Sequence, residues 1–512
     1  MVNKFLSEKV KTIFELDLRS LALYRIGIAC FTFGDLLLRA EYLKAHYTDW
    51  GVLPRSALIA PSFLNSWRIS VHLMSGEAWG EALLFLTTAI FAFMLLAGFR
   101  TRLASFFVWF LTVSLQARNP MVLQGGDVLY RMALFFGMFL PLNGRFSVDC
   151  ALDSSQEKKP VCVFSAGTLG FILQVIFVYW FSVGIKIIKP VSRQIWLTEG
   201  MAVYNALNVD QFTRAFGYFL LGLPVEVLKF LNYYSLGVEF FAPFLLLLPF
   251  TNGIARMVFI FLVGGLHAGM GAALSLGLFP FIGTVTLLPL VPGKAWDALG
   301  SFLSRHPPGG TVFFRRLVEK CIRRLPAAPL KLGLSLPAQI MAGFSIVYIL
   351  FWNLGTLGLP YTIPPQLRGI GQTFAFDQYW DMFSPPMTDD GLYVIPARLR
   401  NGTEVDLFRK GRPIRWEKPR RVSWLYKNER WRKYMMNLWA EVNQGHRLYY
   451  GQYLCREWNS THPSDQAVEE FQIFFMREDT APYKSVLPHK TSIWRHFCFQ
   501  VPEPMPPSKW ES

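Results

Sequence analysis

Cysteine is scarce. The 512 residues hold six, at positions 30, 150, 162, 321, 455 and 498, with no two at the short spacing of a zinc-ligand pair, so no metal centre is expected. Charged residues make up only 17% of the chain, and acidic ones are the rarer kind, 35 Asp and Glu against 51 Lys and Arg. The chain has no internal repeat, phosphate-binding glycine loop, dinucleotide fingerprint or nucleophile elbow. Their absence argues against the nucleotide-dependent and serine-hydrolase classes that these motifs announce. No cleavable signal peptide is expected either, because Lys4, Glu8, Lys9, Lys11, Glu15 and Asp17 interrupt the first eighteen residues. The net charge of +16 comes without a recognised nucleic-acid module, so nucleic acid is not an expected partner.

Apolar residues are abundant. A chain that is 52% hydrophobic, with 46 Phe, is hard to arrange around one soluble core and belongs to the membrane class. Runs near the ~20 residues needed to cross a bilayer place candidate spans at 20–38, 82–99, 102–117, 128–142, 166–188, 234–250, 255–272, 274–291 and 338–355. The weakness of 128–142 and of the 255–291 pair leaves eight spans as the alternative to nine. With the N-terminus inside, the inner segments carry eighteen Lys and Arg against nine outside, the bias of a cytoplasmic N-terminus. The predicted fold is therefore mainly α: a polytopic helical membrane domain over residues 1–355 with eight or nine spans. A small soluble α+β domain follows over 356–512, outside (periplasmic or lumenal) if the count is nine.

The C-terminal part changes to mixed polar and aromatic sequence. Leu392 to Arg400 and Thr403 to Phe408 flank Asn401-Gly402, which predicts a hairpin with a type I′ turn. Helical periodicity runs through 421–442 and 445–458, and Ala467 to Met476 reads as a strand. Cys455 and Cys498 share this domain and either pair as a disulfide or stay as two thiols. Between Arg409 and Lys433 stand eleven basic residues against Glu417 and Glu429, a stripe suited to a solvated helix face, to acidic lipid headgroups or to an acidic substrate.

Ionisable residues inside or at the edges of the apolar runs are the candidates for function: Arg25, Asp35, Asp127, Arg131, Lys186, Glu239 and His267. Each is expensive at membrane depth, so it faces a partner or a cavity. Asp127 and Arg131, four residues apart, share a helix face and are expected to neutralise each other. Arg25 and Asp35 need partners on other helices. Glu239 and His267 have no complementary neighbour in their own helices. Lys186 closes the stretch Ala166 to Ile188 and has two readings: a desolvated amine able to act as a base, or an ammonium that snorkels to the interface beside Lys189.

The stretch Leu18-Arg19-Ser20-Leu21-Ala22-Leu23-Tyr24-Arg25-Ile26, with Asp35 and His46-Tyr47-Thr48-Asp49-Trp50-Gly51-Val52-Leu53-Pro54, resembles the HTTM domain. This is the membrane domain shared with vitamin K-dependent gamma-carboxylase. Phe146-Ser147-Val148-Asp149, then Tyr179 to Lys186 followed by Trp196 and Gly200, and His267 ahead of Leu276-Gly277-Leu278-Phe279 extend the resemblance over about 17–291. The tail, with Trp380 to Pro385, Arg430 to Leu438 and Cys455 to Asn459, is similar to bacterial HTTM proteins. In the carboxylases a lysine deprotonates reduced vitamin K, whose reaction with oxygen yields a base strong enough to take a glutamate γ-proton before carbon dioxide adds. The resemblance implies a catalytic role for Lys186 and His267, with Glu239, Trp196 and Tyr179 around reduced vitamin K or another lipid quinol. It departs at one point: of the two adjacent lysines of the carboxylases this chain keeps the first, and Ile187 occupies the catalytic position.

Two functions follow. One is a quinol- and oxygen-dependent membrane enzyme, gamma-carboxylase-like, that modifies a peptide or protein substrate. The other is a non-catalytic membrane protein that binds a lipid, quinone or peptide and assists its export or maturation. Convergence of Lys186, Glu239 and His267 on one apolar cavity favours the first, and salt-bridged packing without a cavity the second. A proton-coupled transporter is a third class, weakened by the missing repeat.

Overall fold

The computed structural model describes residues 2–59, 66–155, 159–249, 253–305, 326, 329–360, 362–387, 389–479, 488–500 and 507–511. Cys321 and the basic residues Lys158, Arg315, Arg316, Lys320, Arg323 and Arg324 lie outside them.

Every apolar stretch contains a helix. In chain order they are α1 (Leu18–Ala40), α2 (Ala78–Ala97), α3 (Thr101–Arg118), α4 (Gly125–Gly137) and α5 (Ala166–Ile188). The short α6 (Ala215–Leu221) leads into α7 (Val225–Phe241), α8 (Ile254–Ala273), α9 (Phe279–Leu287) and α10 (Leu336–Thr356). Six segments are long and apolar enough to cross a membrane: Leu18–Ala40, Ala78–Ala97, Ala166–Ile188, Val225–Leu247, Ile254–Ala273 and Leu336–Thr356. Helices α3, α4 and α9 fall short in length or apolarity. Local chemistry sets the ends. The Asp17 carboxylate accepts from the Arg19 amide at the start of α1, and Ser165 and Thr168 satisfy each other's amides at the start of α5. Gly98, at φ 70°, turns the chain out of α2.

Hydrogen bonds sort the connections into two groups. Those after α1, α3, α5, α8 and α10 meet one another: Asn119 Nδ2 donates to His46 O at 2.8 Å, Gln124 Nε2 to Leu276 O at 3.5 Å, and Ser275 N to Phe212 O at 2.6 Å. The Arg68–Asp377 ion pair at 2.6 Å joins them to the chain after α10. Connections after α2, α4, α7 and α9 meet at the other end, through Arg100 N to Asp149 at 2.8 Å and Arg102 Nη2 to Lys331 O at 3.0 Å. The N-terminal residues belong there too, since Arg256 donates to Ile13 O and Glu15 O at 2.6 and 2.9 Å. On the outer surfaces Phe93, Phe261 and Phe281 are 63, 80 and 65% exposed, a rim that suits hydrocarbon rather than water.

A second core is built on a five-stranded sheet. Its strands are β1 (Asp389–Val394), β2 (Pro396–Leu399), β3 (Glu404–Asp406), β4 (Val468–Asp479) and β5 (His489–Phe497), all paired antiparallel. The long β4 takes β1 and β2 in turn along one edge and β5 along the other. Two helices, α11 (Glu429–Trp439) and α12 (His446–Asn459), accompany the sheet. The predicted hairpin forms with Ala397 opposite Val405, but its turn is not type I′. Gly402 N donates to Leu399 O at 2.9 Å, and of the two central residues only Gly402 has positive φ, 84°. That is a type I turn closed by a left-handed glycine, the three-residue loop. The basic stripe is likewise no helix face over its first half: from Arg409 to Arg421 the chain is irregular, and the helix begins only at Glu429.

Cys455 and Cys498 are joined as a disulfide across 43 residues of sequence. Replacing both by serine is expected to destabilise the second core by about 2–4 kcal/mol, since the bridge restricts the unfolded chain. A denaturant midpoint unchanged from the wild type would contradict this.

The two cores interlock. Ile363, Phe376 and Trp380, beyond α10, pack among the membrane helices, while Ala45, Val52, Leu53, Met121 and Val122 from the connections enter the second core. Charges cross the junction as well. Asp127 and Arg131 do not pair with each other, because each finds a closer partner from elsewhere. Asp127 binds Arg39 and Arg430, both at 2.5 Å, and Arg131 binds Asp377 at 2.9 Å. Asp35 takes Arg39 of its own helix at 2.7 Å and Arg430 at 2.8 Å, whereas the two Nη atoms of Arg25 donate to the carbonyls of Leu142, Arg145 and Phe146.

Candidate functional site

Helix α5 presents Tyr179, Ser182 and Lys186 on one face, the i, i+3, i+7 spacing of a single stripe. Lys186 is 3% exposed, and its Nζ lies 2.5 Å from Glu239 Oε2 on α7. The ammonium therefore does not snorkel to the interface. Ser182, one turn earlier, donates to the same carboxylate oxygen at 3.3 Å. The Trp196 ring lies 4.4 Å from Nζ, so a cation–π contact completes the surroundings of the amine.

Trp196 is set by an irregular backbone. Gln194–Glu199 forms a π-helical turn, a local distortion often found at functional sites, ended by Gly200 at φ 68°. Asn232, fully buried on α7, holds this turn from both sides: its Nδ2 donates to Trp196 O at 2.9 Å and its Oδ1 accepts from Ala202 N at 3.1 Å. The Trp196 indole Nε1 donates to Phe383 O at 2.7 Å, tying the turn to the segment that leads into the second core. Asn232 and Phe383 were not among the sequence candidates. An amide in an apolar helix was a readable signal for Asn232, whereas Phe383 holds the Trp196 indole through its backbone carbonyl, for which sequence has no mark.

A second polar pair stands on the same cavity. Tyr179 OH and His267 Nε2 of α8 share a hydrogen bond at 3.0 Å, and the Phe279 ring meets the imidazole at 5.4 Å. His267 lies flat over Gly283 of α9, where a Cβ would collide with the ring. Its Nδ1 is buried and has no hydrogen-bond partner among the described residues.

Five of the sequence candidates, Tyr179, Lys186, Trp196, Glu239 and His267, line one cavity of about 320 Å³, and Arg25, Asp35, Asp127 and Arg131 stand outside it. The remaining wall is largely apolar, with Val178, Leu207, Leu231, Met270 and Phe279 prominent. Trp380, Met382 and Phe383 line it from the segment beyond α10. The volume falls at the lower end of small-molecule sites, roughly 300–1,000 Å³. Its two polar pairs are borne on α5 seven residues apart, about 10 Å along the axis. This donor set fits a compact, mostly apolar molecule with a hydroxyl or carbonyl at its edge. Among the described residues no group of three His, Cys, Asp or Glu could hold a metal ion. No family model, curated protein or solved structure matches the chain.

Proposed function

We propose that this membrane protein binds a lipid-soluble reduced quinone, reduced vitamin K or a relative, in the cavity between α5, α7 and α8. The observation that carries the reading is the convergence of the Lys186–Glu239 and Tyr179–His267 pairs on one apolar space. A bound quinol supplies an acidic hydroxyl and two electrons for oxygen. Glu239 and Lys186 act as a unit: the carboxylate accepts the hydroxyl proton, and the ammonium remains as counter-charge to the oxygen left behind. His267, with its free Nδ1, offers a hydrogen bond to a second polar edge of the ligand. Trp380, Met382 and Phe383 keep water from the cavity end beside the second core. The N-terminal similarity to HTTM domains supports this assignment, and a peptide or protein brought by the second core is the substrate that a gamma-carboxylase-like reaction requires.

The same proposal includes nine crossings, a cytoplasmic N-terminus and the second core on the periplasmic or lumenal side. The regular alternation of connections between two ends supports it, as do the excess of Lys and Arg at the N-terminal end and a disulfide suited to an oxidising compartment.

A non-catalytic binding protein is the second reading. It is favoured by Ile187, which packs with Val183, Ile195 and Trp196 where the carboxylases have their second lysine. The test is oxygen-dependent epoxidation of reduced vitamin K by the protein in lipid nanodiscs, followed by mass spectrometry. Epoxide from the wild type that falls at least ~100-fold in Glu239→Gln and Lys186→Met supports the enzyme, this being the usual scale for loss of an acid–base group. Quinone binding without epoxide from the wild type leaves the binding protein, and absence of both rejects the cavity as a quinone site.

A further inference from the structure

The fold parts the basic stripe of residues 409–433. Arg430 and Arg432 are buried, the first on Asp35 and Asp127 and the second on the carbonyls of Gln211 and Ser275. Lys418 is taken up by Asp210 and Glu478. Arg420 and Arg421 remain exposed, with no carboxylate at ion-pair distance among the described residues. Beside them Trp424 is 75% exposed, and the Arg421 guanidinium lies 4.6 Å from its ring.

This exposed group sits against the chain that enters the membrane. Lys418 Nζ is 2.5 Å from Asp210, and Tyr426 OH donates to Gln211 Oε1 at 2.8 Å, so both ends of 418–426 are pinned to the connection before α6. Tyr218 of α6 donates to the same Asp210 at 2.8 Å, which ties the helix to the carboxylate that anchors Lys418. Helix α6 exposes Phe216 and Phe219, 45 and 61% accessible and stacked at 6.0 Å, immediately before the apolar segment Val225–Leu247. Aromatic side chains beside arginines at the head of a membrane segment are the composition of the headgroup layer.

We infer that Arg420, Arg421 and Trp424 form, with the aromatic face of α6, a seat for the headgroup of an anionic phospholipid in the leaflet nearest the second core. Arginine forks match phosphate oxygens bidentately, and the indole suits the boundary between glycerol and water. Phe216 and Phe219 offer the acyl chains an apolar wall that an acidic peptide would leave unused. Lys418 offsets one of the two nearby carboxylate charges of Asp210 and Glu478, and the two guanidinium groups of Arg420 and Arg421 outnumber the one that remains; Glu417 is the exposed acid of this stretch. The headgroup part of the seat is independent of the quinone reading, since Arg420, Arg421 and Trp424 stand outside the cavity, while Phe216 of α6 also lines it.

The full-length protein in mixed micelles, titrated with phosphatidylglycerol or phosphatidylcholine and read by native mass spectrometry, tests this. Phosphatidylglycerol is expected to be retained about tenfold more than phosphatidylcholine. Arg420→Gln with Arg421→Gln should remove the preference, Arg420→Lys with Arg421→Lys should keep most of it, and Trp424→Ala should weaken retention of either lipid. Equal retention of the two lipids by the wild type would overturn the seat, as would a glutamine pair that binds phosphatidylglycerol normally. Displacement of the lipid by a polyglutamate peptide at equal concentration would reassign the surface to an acidic partner.

Discussion

Arg430→Ala is expected to lose about 3–5 kcal/mol of stability and to loosen the second core from the helices, the cost of stranding a buried charge. The Arg430 guanidinium reaches Asp127 at 2.5 Å and Asp35 at 2.8 Å, and it also donates to Val122 O at 3.1 Å. Arg39 bridges the same two carboxylates from within α1 and donates to Tyr47 OH at 2.7 Å. Two arginines and two aspartates therefore balance, with every side chain in the cluster at most 7% exposed. Removing one cation leaves a net negative charge where water cannot reach it. Arg430→Lys should recover only part of the loss, because a single ammonium cannot span both carboxylates as the fork does. Arg430→Met combined with Asp35→Asn should recover more, since it restores neutrality. Thermal unfolding in detergent, with limited proteolysis between the cores, reads the result. An Arg430→Ala protein as stable as the wild type would refute the cluster as the clamp.

The second large effect is expected at the cavity. Lys186→Met strands the Glu239 carboxylate, whose side chain is 12% exposed, and should destabilise the protein by about 3–5 kcal/mol. Glu239→Gln strands the ammonium by the same logic, although Trp196 retains its contact with Nζ. The double variant Lys186→Met with Glu239→Gln removes both charges at nearly constant volume and should return to within about 1–2 kcal/mol of the wild type. A coupling energy near zero from this double-mutant cycle would show that the two groups do not act as a unit. The double variant also separates folding from chemistry. A stable protein that has lost quinol turnover places the loss in the proton-accepting pair rather than in the scaffold.

The ionisable residues that matter were legible because hydrocarbon penalises them: Lys186, Glu239 and His267 stand out in their apolar runs without any structure. Their partners were not legible. Glu239 is 53 residues from Lys186, and His267 is 88 from Tyr179, so the pairs depend on how helices pack. The one pairing inferred from local spacing, Asp127 with Arg131, failed for the same reason: tertiary neighbours offered better geometry than the next helical turn. Arg430 was hidden by its surroundings, one of eleven basic residues in a stripe whose members the fold sends to opposite fates. The type of turn at Asn401-Gly402 was also beyond local reading, since the Asn-Gly dipeptide serves both a two-residue and a three-residue loop.

By itself the sequence determined the membrane character, the location of the apolar helices, the hairpin and the long strand of the second core, and the charged residues that need explaining. These follow from local hydrophobic period and from the energy of burying charge, both properties of short stretches of chain. The strand His489–Phe497 and the break between Asp389–Val394 and Pro396–Leu399 were left to the fold. Only the tertiary structure decided that Lys186 meets Glu239, that Tyr179 meets His267, that both pairs share one cavity, and that Arg430 joins the two cores. Those contacts depend on the relative positions of helices far apart in sequence, which no periodicity encodes.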